Sequence, residues 1–276
     1  MTKSTTLSIS ESFLSIQGEG ISAGVPALFL RLSGCNLTCG GPNTIKTKTL
    51  DFGATWRCDT IEVWTKGTPT PIDTLLKTWK LNGWIDSLRS GTHLVVTGGE
   101  PLLHDTAICA FLDDLSDELQ VKSGRENFKL ASKLRNPSTP KADVDLIQIE
   151  METNGTLIPS KKLDSHISQY NVSPKLANSG MSLDKRYCTD VIDWFGRNPK
   201  SSFKFVIQNE NDLHEIQKTY QTPHAIANNR ILLMPAADNR KDYLRLAPTI
   251  QTLCKTHQYT FSPRLHIEKW DQKTGV

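Results

Sequence analysis

Features that define several protein classes are scarce or missing in this sequence of 276 residues. No stretch approaches the roughly 18 consecutive apolar residues of a membrane span, and residues 1–12 lack the apolar core of a secretory signal. Six cysteines are too few for a disulfide scaffold in a chain of this length. The net charge of +3 is too small to indicate a nucleic-acid binder. The sequence therefore predicts a cytoplasmic globular protein without membrane contact.

Short strand-like runs alternate with helical patterns along most of the chain. The strand-like runs cover residues 27–32, 93–97, 145–150, 167–172, 202–207 and 230–234. Amphipathic spacing predicts helices over residues 72–79, 84–88, 108–119, 213–220 and 243–253. This alternation predicts an α/β fold in which crossover helices connect a parallel sheet, either an open sheet or a full or partial barrel.

Three of the six cysteines lie in Gly-, Pro- and Thr-rich sequence that cannot be the interior of a helix, namely Cys35, Cys39 and Cys58. The other three have no second cysteine at ligand spacing, and we assign them to packing. Three thiolates suit a zinc ion completed by a histidine, or an iron–sulfur cluster with one iron that lacks a protein ligand. No histidine precedes His93, so only a distant one could complete a zinc site. The count of three favours the cluster.

A second motif, Thr97-Gly-Gly-Glu-Pro101, follows a buried strand. Two glycines allow a ligand to approach the backbone, and the glutamate can hold a cationic group such as an amine. Taken alone, the same residues could form an ordinary turn at the end of a strand. Beside a three-cysteine loop they indicate a binding site, because an α/β fold places its ligands at the carboxyl ends of its strands.

The cysteine loop and the Gly-Gly-Glu-Pro motif resemble the radical S-adenosylmethionine (radical SAM) superfamily, and within it the 7-carboxy-7-deazaguanine synthase family. Further matching blocks follow in family order: Phe13-Leu-Ser-Ile-Gln-Gly-Glu-Gly20, Phe29-Leu-Arg-Leu-Ser-Gly-Cys-Asn-Leu-Thr-Cys39, Cys58-Asp-Thr60, Glu152-Thr-Asn-Gly155, Ser173-Pro-Lys175, Phe203-Lys-Phe-Val206, Leu233-Met-Pro235 and Pro263-Arg-Leu-His266. Because the blocks run from residue 13 to residue 266, the resemblance spans nearly the whole chain.

The resemblance implies a modified, incomplete TIM-type barrel and a carbon–nitrogen lyase activity. The implied reaction contracts the ring of 6-carboxy-5,6,7,8-tetrahydropterin to 7-carboxy-7-deazaguanine with loss of ammonia, in deazapurine biosynthesis of the queuosine type. The implied cofactors are a 4Fe-4S cluster, SAM and Mg²⁺. In the family, the reduced cluster cleaves SAM, and the resulting radical takes a hydrogen from the pterin and later returns it. The implied partners are the pterin, an external electron donor and a second copy in a homodimer; nucleic acid is not expected.

The resemblance also implies roles for individual residues. Cys35, Cys39 and Cys58 would hold the cluster, and the hydroxyl of Thr60 would bind magnesium, which prefers oxygen ligands. The remaining implied ligands fall into two groups. The SAM-binding residues would be Gly99, Glu100, Ser173, Pro174 and Lys175, and the substrate-binding residues would be Ile16, Gln17, Gly18, Arg31 and Thr97. An arginine suits the carboxylate of the substrate, and an amide suits the edge of a pterin.

The chain departs from the family pattern C-x3-C-x2-C, because 18 residues separate Cys39 from Cys58. Lengthening that gap adds only about 2 kcal/mol of loop-closure entropy, which several iron–thiolate bonds outweigh. Since Cys58 is followed by Asp-Thr as in the family, we interpret residues 40–57 as an insertion in the cluster loop. Residues 121–144 form a second, basic insertion. We otherwise expect one radical SAM domain over residues 1–276.

Two other functions share some of these features. A different radical SAM enzyme, such as an activase of a glycyl-radical protein, would have the cysteines and Gly-Gly-Glu-Pro without needing the block at residues 13–20. A non-catalytic metal-binding homologue would keep the fold without the chemistry, although the three cysteines and Thr60 are all present here. The sequence leaves open whether the product serves transfer RNA or DNA modification.

Overall fold

A computed structural model describes residues 5–123, 147–273 and 275 of the chain. Nine strands form one sheet within these residues. They are β1 (Thr6–Ile16), β2 (Pro26–Leu32), β3 (Thr68–Pro71), β4 (His93–Gly98), β5 (Ile149–Thr153), β6 (Gln169–Val172), β7 (Ser201–Ile207), β8 (Ile231–Pro235) and β9 (Thr260–Phe261). Their order across the sheet is β3-β1-β2-β4-β5-β6-β7-β8-β9.

The sheet is parallel except at one side. From β2 onward every neighbouring pair is parallel, whereas β1 runs antiparallel to both β2 and β3. Since β3 and β9 lie at opposite ends of the strand order, the sheet stays open. The expected α/β fold, with a sheet that forms an incomplete barrel, is confirmed.

Helices connect successive parallel strands. They are α1 (Thr44–Thr47), α2 (Ile61–Trp64), α3 (Ile72–Leu81), α4 (Trp84–Arg89), α5 (Asp105–Ser123), α6 (Lys161–His166), α7 (Leu183–Arg186), α8 (Thr189–Arg197), α9 (Glu210–Glu215), α10 (Arg240–His257) and α11 (Leu265–Trp270). A π-helical turn, Ile216–Gln221, follows α9, and 3-10 turns cover Pro101–His104, Ala177–Ser179 and Asn228–Arg230. Among the described helices, none combines the length and apolar character that a bilayer crossing needs.

The core lies between the sheet and this helical layer. Trp79 of α3 is fully buried, packs edge-on against Phe111 of α5 with ring centroids 5.3 Å apart, and donates its indole hydrogen to Ser12 at 3.1 Å. The opposite face of the same strands carries buried polar side chains, among them Thr97, Asn171 and Lys204. Because polar groups are costly to bury without partners, this face must be a network or a binding site.

The sequence predicted the parallel strands well and the antiparallel side poorly. Strand β1 was missed, although Leu7, Ile9, Glu11 and Phe13 alternate with serines as a half-buried strand requires. The strand expected from residue 145 begins at Ile149, and residues 145–146 lie outside the described part. The predicted insertion at residues 121–144 also falls, from residue 124 onward, outside the described residues.

Candidate functional site

The carboxyl ends of the parallel strands surround one large cavity of about 860 Å³. Cys35 follows β2, Thr97 ends β4, Asn154 follows β5 and Ser173 follows β6, and all four line the cavity. This is the edge of an α/β sheet at which ligands bind, because the loops after successive parallel strands converge there.

The three singled-out cysteines meet at this edge. Cys39 packs with Leu37 and Met181, and Cys35 and Cys58 contact the same small cluster. The amide of Cys58 donates to the carbonyl of Cys39 at 3.2 Å, so the chain returns to the cysteine pair after the 18-residue gap. All three are free thiols. Three soft thiolates from one region fit an iron–sulfur cluster with one open iron. Among the described cavity residues no fourth cysteine occurs, and the histidine of the lining, His266, lies near Glu19.

The environment of the thiols combines burial with hydrogen-bond donors. Burial raises the pKa of Cys35 to about 11 and that of Cys39 to about 12. The amide of Leu37 donates to the Cys35 sulfur and the indole of Trp64 donates to the Cys58 sulfur, both at 3.4 Å. Donors aimed at sulfur favour its charged, metal-bound form over the protonated thiol.

Two glycines bring strand β4 against the cysteine loop. A β-carbon on Gly99 would lie 2.1 Å from the carbonyl oxygen of Gly34, and one on Gly98 would lie 2.2 Å from that of Leu32. Gly98 also has φ +146°, a conformation that side chains rarely adopt. The glycines of the Gly-Gly-Glu-Pro motif therefore permit a close backbone approach, next to the residue that precedes Cys35.

The glutamate of the Gly-Gly-Glu-Pro motif forms hydrogen bonds with other groups of the protein. Glu100 is fully buried, lies outside the cavity lining, and accepts hydrogen bonds from the amide of Leu102 at 3.0 Å, the hydroxyl of Thr153 at 2.9 Å and the amide of Asn154 at 2.7 Å. Burial raises its pKa despite these donors. Its carboxylate thus fixes the turn after β5, a role that the sequence analysis missed.

The segment after β6 forms another wall of the cavity. Ser173 and Lys175 line it, whereas Pro174 is buried behind them. Tyr220 and Arg186 hold the segment, because they donate to the carbonyl of Lys175 at 2.7 and 3.0 Å. The wall is therefore rigidly supported from the helical layer.

Trp56 completes this wall from the other side. Its indole donates to Asn178 at 2.8 Å, and the ammonium of Lys175 lies 5.9 Å from the ring centroid. The ring also packs against buried Val206 and Met234 at the ends of β7 and β8. An apolar ring beside a cation and three thiols gives the cavity a mixed lining suited to a large, partly charged organic ligand.

A group of three polar side chains lies in the interior of the cavity. Glu152 accepts hydrogen bonds from the hydroxyl of Thr97 at 2.7 Å and from the amide of Gln17 at 3.3 Å. Gln17 and Thr97 are almost completely buried. Ile16 and Gly18 flank Gln17 in the same lining. A carboxylate, an amide and a hydroxyl in contact can form hydrogen bonds with a heterocycle that offers both donors and acceptors.

Arg31 stands on β2 facing the same cavity. Its Nε donates to Glu11 at 2.8 Å, and no further bond of this side chain occurs among the described residues. The two terminal nitrogens of the guanidinium therefore stay available. A carboxylate could bind them in bidentate fashion.

Five charged or titratable side chains form a further wall of the cavity. Glu19 pairs with Lys204, with Arg264 at 3.1 Å and with His266 at 3.7 Å, and Arg264 also pairs with Asp59. Glu19, Asp59 and His266 offer ligand atoms within 4.8 Å of one another. Because Lys204 and Arg264 already neutralise the two carboxylates, this trio is a poor site for a further cation.

In this cluster the ion pairs affect the pKa values of the two carboxylates more strongly than burial does. Burial alone would raise the pKa of Glu19, but Lys204 and Arg264 hold it well below its ordinary value. Arg264 likewise lowers the pKa of Asp59 against the effect of burial. Burial lowers the pKa of His266, although the neighbouring Glu19 carboxylate acts in the other direction.

Thr60 lies between the thiols and this charged wall. It directly follows Asp59, lines the cavity, and places its hydroxyl 3.5 Å from the Cys58 sulfur. A hydroxyl exposed to the cavity beside the cysteine loop is open to a metal ion held jointly with a ligand.

The structure brings nearly all predicted site residues together. Every one of them lines the cavity except Glu100 and Pro174, which lie just behind it. Four further residues line the cavity although no role was predicted for them from the sequence, namely Glu11, Glu19, Glu152 and Trp56. One available signal was Lys204, a charged residue within the otherwise apolar β7, because a buried lysine requires a partner.

The open α/β sheet, with a large cavity at the carboxyl ends of its parallel strands, defines an α/β protein of the incomplete-barrel class. No family model matches the chain. It is 29% identical to the 7-carboxy-7-deazaguanine synthase of Pyrobaculum aerophilum over the full length of both chains. It is 28% identical to the synthase of the same name from Halobacterium salinarum, over 96% of this chain and 91% of that one. The chain is thus a relative of the 7-carboxy-7-deazaguanine synthases, and the resemblance seen in its motifs is confirmed.

A solved structure also matches the fold of this chain. The crystal structure of QueE from Escherichia coli matches with a TM-score of 0.55 at 20% identity, over 93% of each chain. At this level of identity the match concerns the fold, and it agrees with the open barrel described above.

Proposed function

We propose that the chain is a radical SAM enzyme that contracts 6-carboxy-5,6,7,8-tetrahydropterin to 7-carboxy-7-deazaguanine with loss of ammonia, in deazapurine biosynthesis of the queuosine type. The observation that carries this proposal is the convergence of three free thiols, the Gly98–Gly99 turn and the Gln17–Glu152–Thr97 group on one cavity. The relatives that share the chain's full length support it.

Cys35, Cys39 and Cys58 would hold a 4Fe-4S cluster, whose open iron binds SAM. Together the two cofactors supply hydrogen-atom abstraction from the pterin. Gly99, Ser173 and Lys175 would face SAM. We propose that Glu100, with Pro174, completes the SAM site from behind; any direct contact of Glu100 with the SAM amino group stays a prediction.

The polar group inside the cavity would orient the pterin. The Glu152 carboxylate can accept from the N–H groups of the pterin edge, while Gln17 and Thr97 keep it fixed, with Ile16 and Gly18 against the ring. Arg31 would bind the substrate carboxylate through its terminal nitrogens. Anchors on the neighbouring strands β2 and β4 restrict the heterocycle to a single orientation beside the cluster.

Magnesium would bind the Thr60 hydroxyl together with oxygens of the substrate. Hard oxygen ligands suit Mg²⁺, and the neighbouring Glu19–Asp59–His266 trio is already occupied by internal cations. A homodimeric assembly, a cytoplasmic location and reduction by an external electron donor complete the proposal.

Anaerobic reconstitution tests this function. The protein should bind about four irons per chain and, with SAM, a reductant and magnesium, convert the carboxypterin to the deazaguanine. An intact cluster without deazaguanine would reject the proposal. SAM cleavage that does not respond to carboxypterin would indicate a different radical SAM enzyme, and one zinc per chain without visible absorbance would indicate a non-catalytic homologue.

A further inference from the structure

We infer that Asn171 is a further substrate-binding residue, whose side-chain carbonyl selects a heterocycle that carries an exocyclic amine next to a ring N–H. The inference deepens the proposed function and rests on it, because a pterin offers these two donor groups side by side. Asn171 lies within strand β6 and belongs to none of the sequence blocks that match the synthase family. Its role therefore has to be argued from its surroundings.

Asn171 faces the cavity directly beside Glu152. The two residues are partners in the pairing of β5 with β6, and both line the cavity. Tyr170 and Val172, the neighbours of Asn171 along the chain, pack into the apolar core on the other side of the sheet. Since adjacent strands lie about 4.8 Å apart, the Glu152 carboxylate and the Asn171 amide can contact the same small ligand.

Asn171 also belongs to a row of polar residues that crosses the sheet at one level. Arg31 is paired with Thr97, Thr97 donates to Glu152, and Asn171 is paired with Glu152 on one side and with Ser202 on the other. The carboxylate and the exocyclic amine of a carboxypterin lie at opposite ends of its two rings. With the carboxylate at Arg31, the amine would therefore point along the row towards Glu152 and Asn171.

Glu150 fixes the orientation of the Asn171 amide. The carboxylate of Glu150 is almost completely buried and accepts hydrogen bonds from the Asn171 Nδ2 at 2.7 Å, the Ser22 hydroxyl at 2.8 Å and the His93 Nδ1 at 2.7 Å. Burial alone would raise the pKa of Glu150, but these three bonds lower it below its ordinary value. Because an ionised carboxylate only accepts, the amide nitrogen must face Glu150 and the carbonyl oxygen must face elsewhere.

The carbonyl oxygen of Asn171 is left with a poor donor. Among the residues that the structure describes, it accepts only a long bond of 3.4 Å from the Ser202 hydroxyl, which also lies 3.5 Å from the Tyr170 carbonyl. A β-carbon on Gly20 would lie 3.3 Å from this oxygen, so the loop that carries Gln17 passes beside it. Asn171 is only 2% exposed. A buried acceptor without a good donor is costly, and a ligand N–H would satisfy it.

The two neighbouring acceptors match the donor edge of a pterin. The Glu152 carboxylate would accept from the ring N–H and from one hydrogen of the exocyclic amine, and the Asn171 carbonyl would accept the other amine hydrogen. A heterocycle with oxygen in place of the amine would instead turn lone pairs towards both acceptors. Such a mismatch discriminates strongly, because the polar groups of the site are then left unpaired. Asn171 would thus help to determine specificity.

The test measures binding of two ligands to the reconstituted holoenzyme by fluorescence titration. One is 6-carboxypterin, and the other is its 2-oxo analogue, in which oxygen replaces the exocyclic amine. Asn171→Leu removes the carbonyl at similar volume and should raise the Kd of 6-carboxypterin about fivefold, with little effect on the analogue. In Glu150→Gln the Asn171 amide is free to turn its nitrogen to the cavity. This variant should also narrow the difference between the two ligands, since an N–H suits the oxygen of the analogue.

Matched controls lie outside the cavity. Asn82→Leu and Glu268→Gln change an exposed asparagine and an exposed glutamate, and should alter neither Kd. An iron content equal to that of wild type identifies the variants that fold. The inference is overturned if wild type does not distinguish the two ligands, or if Asn171→Leu weakens both equally or leaves both unchanged. If wild type distinguishes them but yields no deazaguanine with SAM and a reductant, the proposed function fails while the role of Asn171 in binding stands.

Discussion

Thr97 donates its hydroxyl hydrogen to Glu152 at 2.7 Å across the neighbouring strands β4 and β5. Thr97→Val keeps the shape and removes the bond, so the Glu152 carboxylate loses one of its two supports. We expect the KM for carboxypterin to rise about fivefold to tenfold with a smaller change in kcat, since one hydrogen bond to a charged group contributes about 1.5 kcal/mol. Steady-state kinetics checks this. Thr252→Val on exposed α10 should change neither constant, and an unchanged KM for Thr97→Val would contradict a substrate-binding role.

Loss of the third thiol should prevent cluster assembly. Cys58→Ala removes one of three proposed iron ligands, and we expect iron content after reconstitution to fall severalfold with loss of visible absorbance. Cys188→Ala is the matched control, because Cys188 is an exposed free thiol on another part of the surface. Full iron binding by the Cys58 variant would exclude this residue as a ligand.

The hydroxyl of Thr60 should be needed for magnesium binding and not for iron binding. Thr60→Ala should raise the magnesium concentration needed for half-maximal turnover about tenfold, as removal of a metal contact does. Thr60→Ser keeps the hydroxyl and should restore the wild-type requirement. Iron content reports whether the cluster is retained; a magnesium response identical to wild type would remove Thr60 from the metal site.

A methyl group at Gly99 should separate strand β4 from the cysteine loop. In Gly99→Ala the new β-carbon would meet the Gly34 carbonyl at 2.1 Å, a contact that only a backbone shift can relieve. We expect poor cluster incorporation together with a stability loss of about 2 kcal/mol or more. Gly196→Ala on α8, whose nearest contact would be an ordinary 3.6 Å, should retain both iron and stability.

The Glu19 ion pairs should make stability depend on acid pH. Because the pKa of Glu19 is lower in the folded protein than its ordinary 4.5, the unfolded chain binds more protons in acid. The stabilisation is therefore present above pH 4.5 and is lost as the pH falls below it. Glu19→Gln should cost about 3 kcal/mol at neutral pH, since it leaves buried cations unpaired.

Urea unfolding of the iron-free protein at several pH values checks the Glu19 prediction. The difference in unfolding free energy between wild type and Glu19→Gln should shrink as the pH falls. A difference that stays constant into acid would show that the pairs with Lys204 and Arg264 contribute little.

The sequence allowed the parallel half of the fold and the cysteine loop to be predicted, because both depend on local patterns. Buried strands such as β4 and β8 contain unbroken apolar runs, and Cys58 is marked by its Asp-Thr neighbours. Strand β1 was not predicted, because its many serines make the alternation of apolar and polar residues hard to recognise. Local pattern was therefore sufficient wherever one segment carried the whole signal.

Contacts between residues that lie far apart in the sequence could not be predicted from local patterns. The partners of Glu19 are Lys204 and Arg264, which lie about two hundred residues further along the chain. Whether Glu100 faces a ligand or the turn at Thr153 depends on how two strand ends are placed in space. Such pairings are set by the packing of the sheet, and a single sequence does not contain them.

The bond between the Cys58 amide and the Cys39 carbonyl closes residues 40–57 into a loop at their base. Because the two ends of this segment lie side by side, its length and outer surface can change without displacing the sulfurs. Changes in this segment are thus separated from the cysteine positions, and the centre of the cavity can stay unaltered while the segment varies.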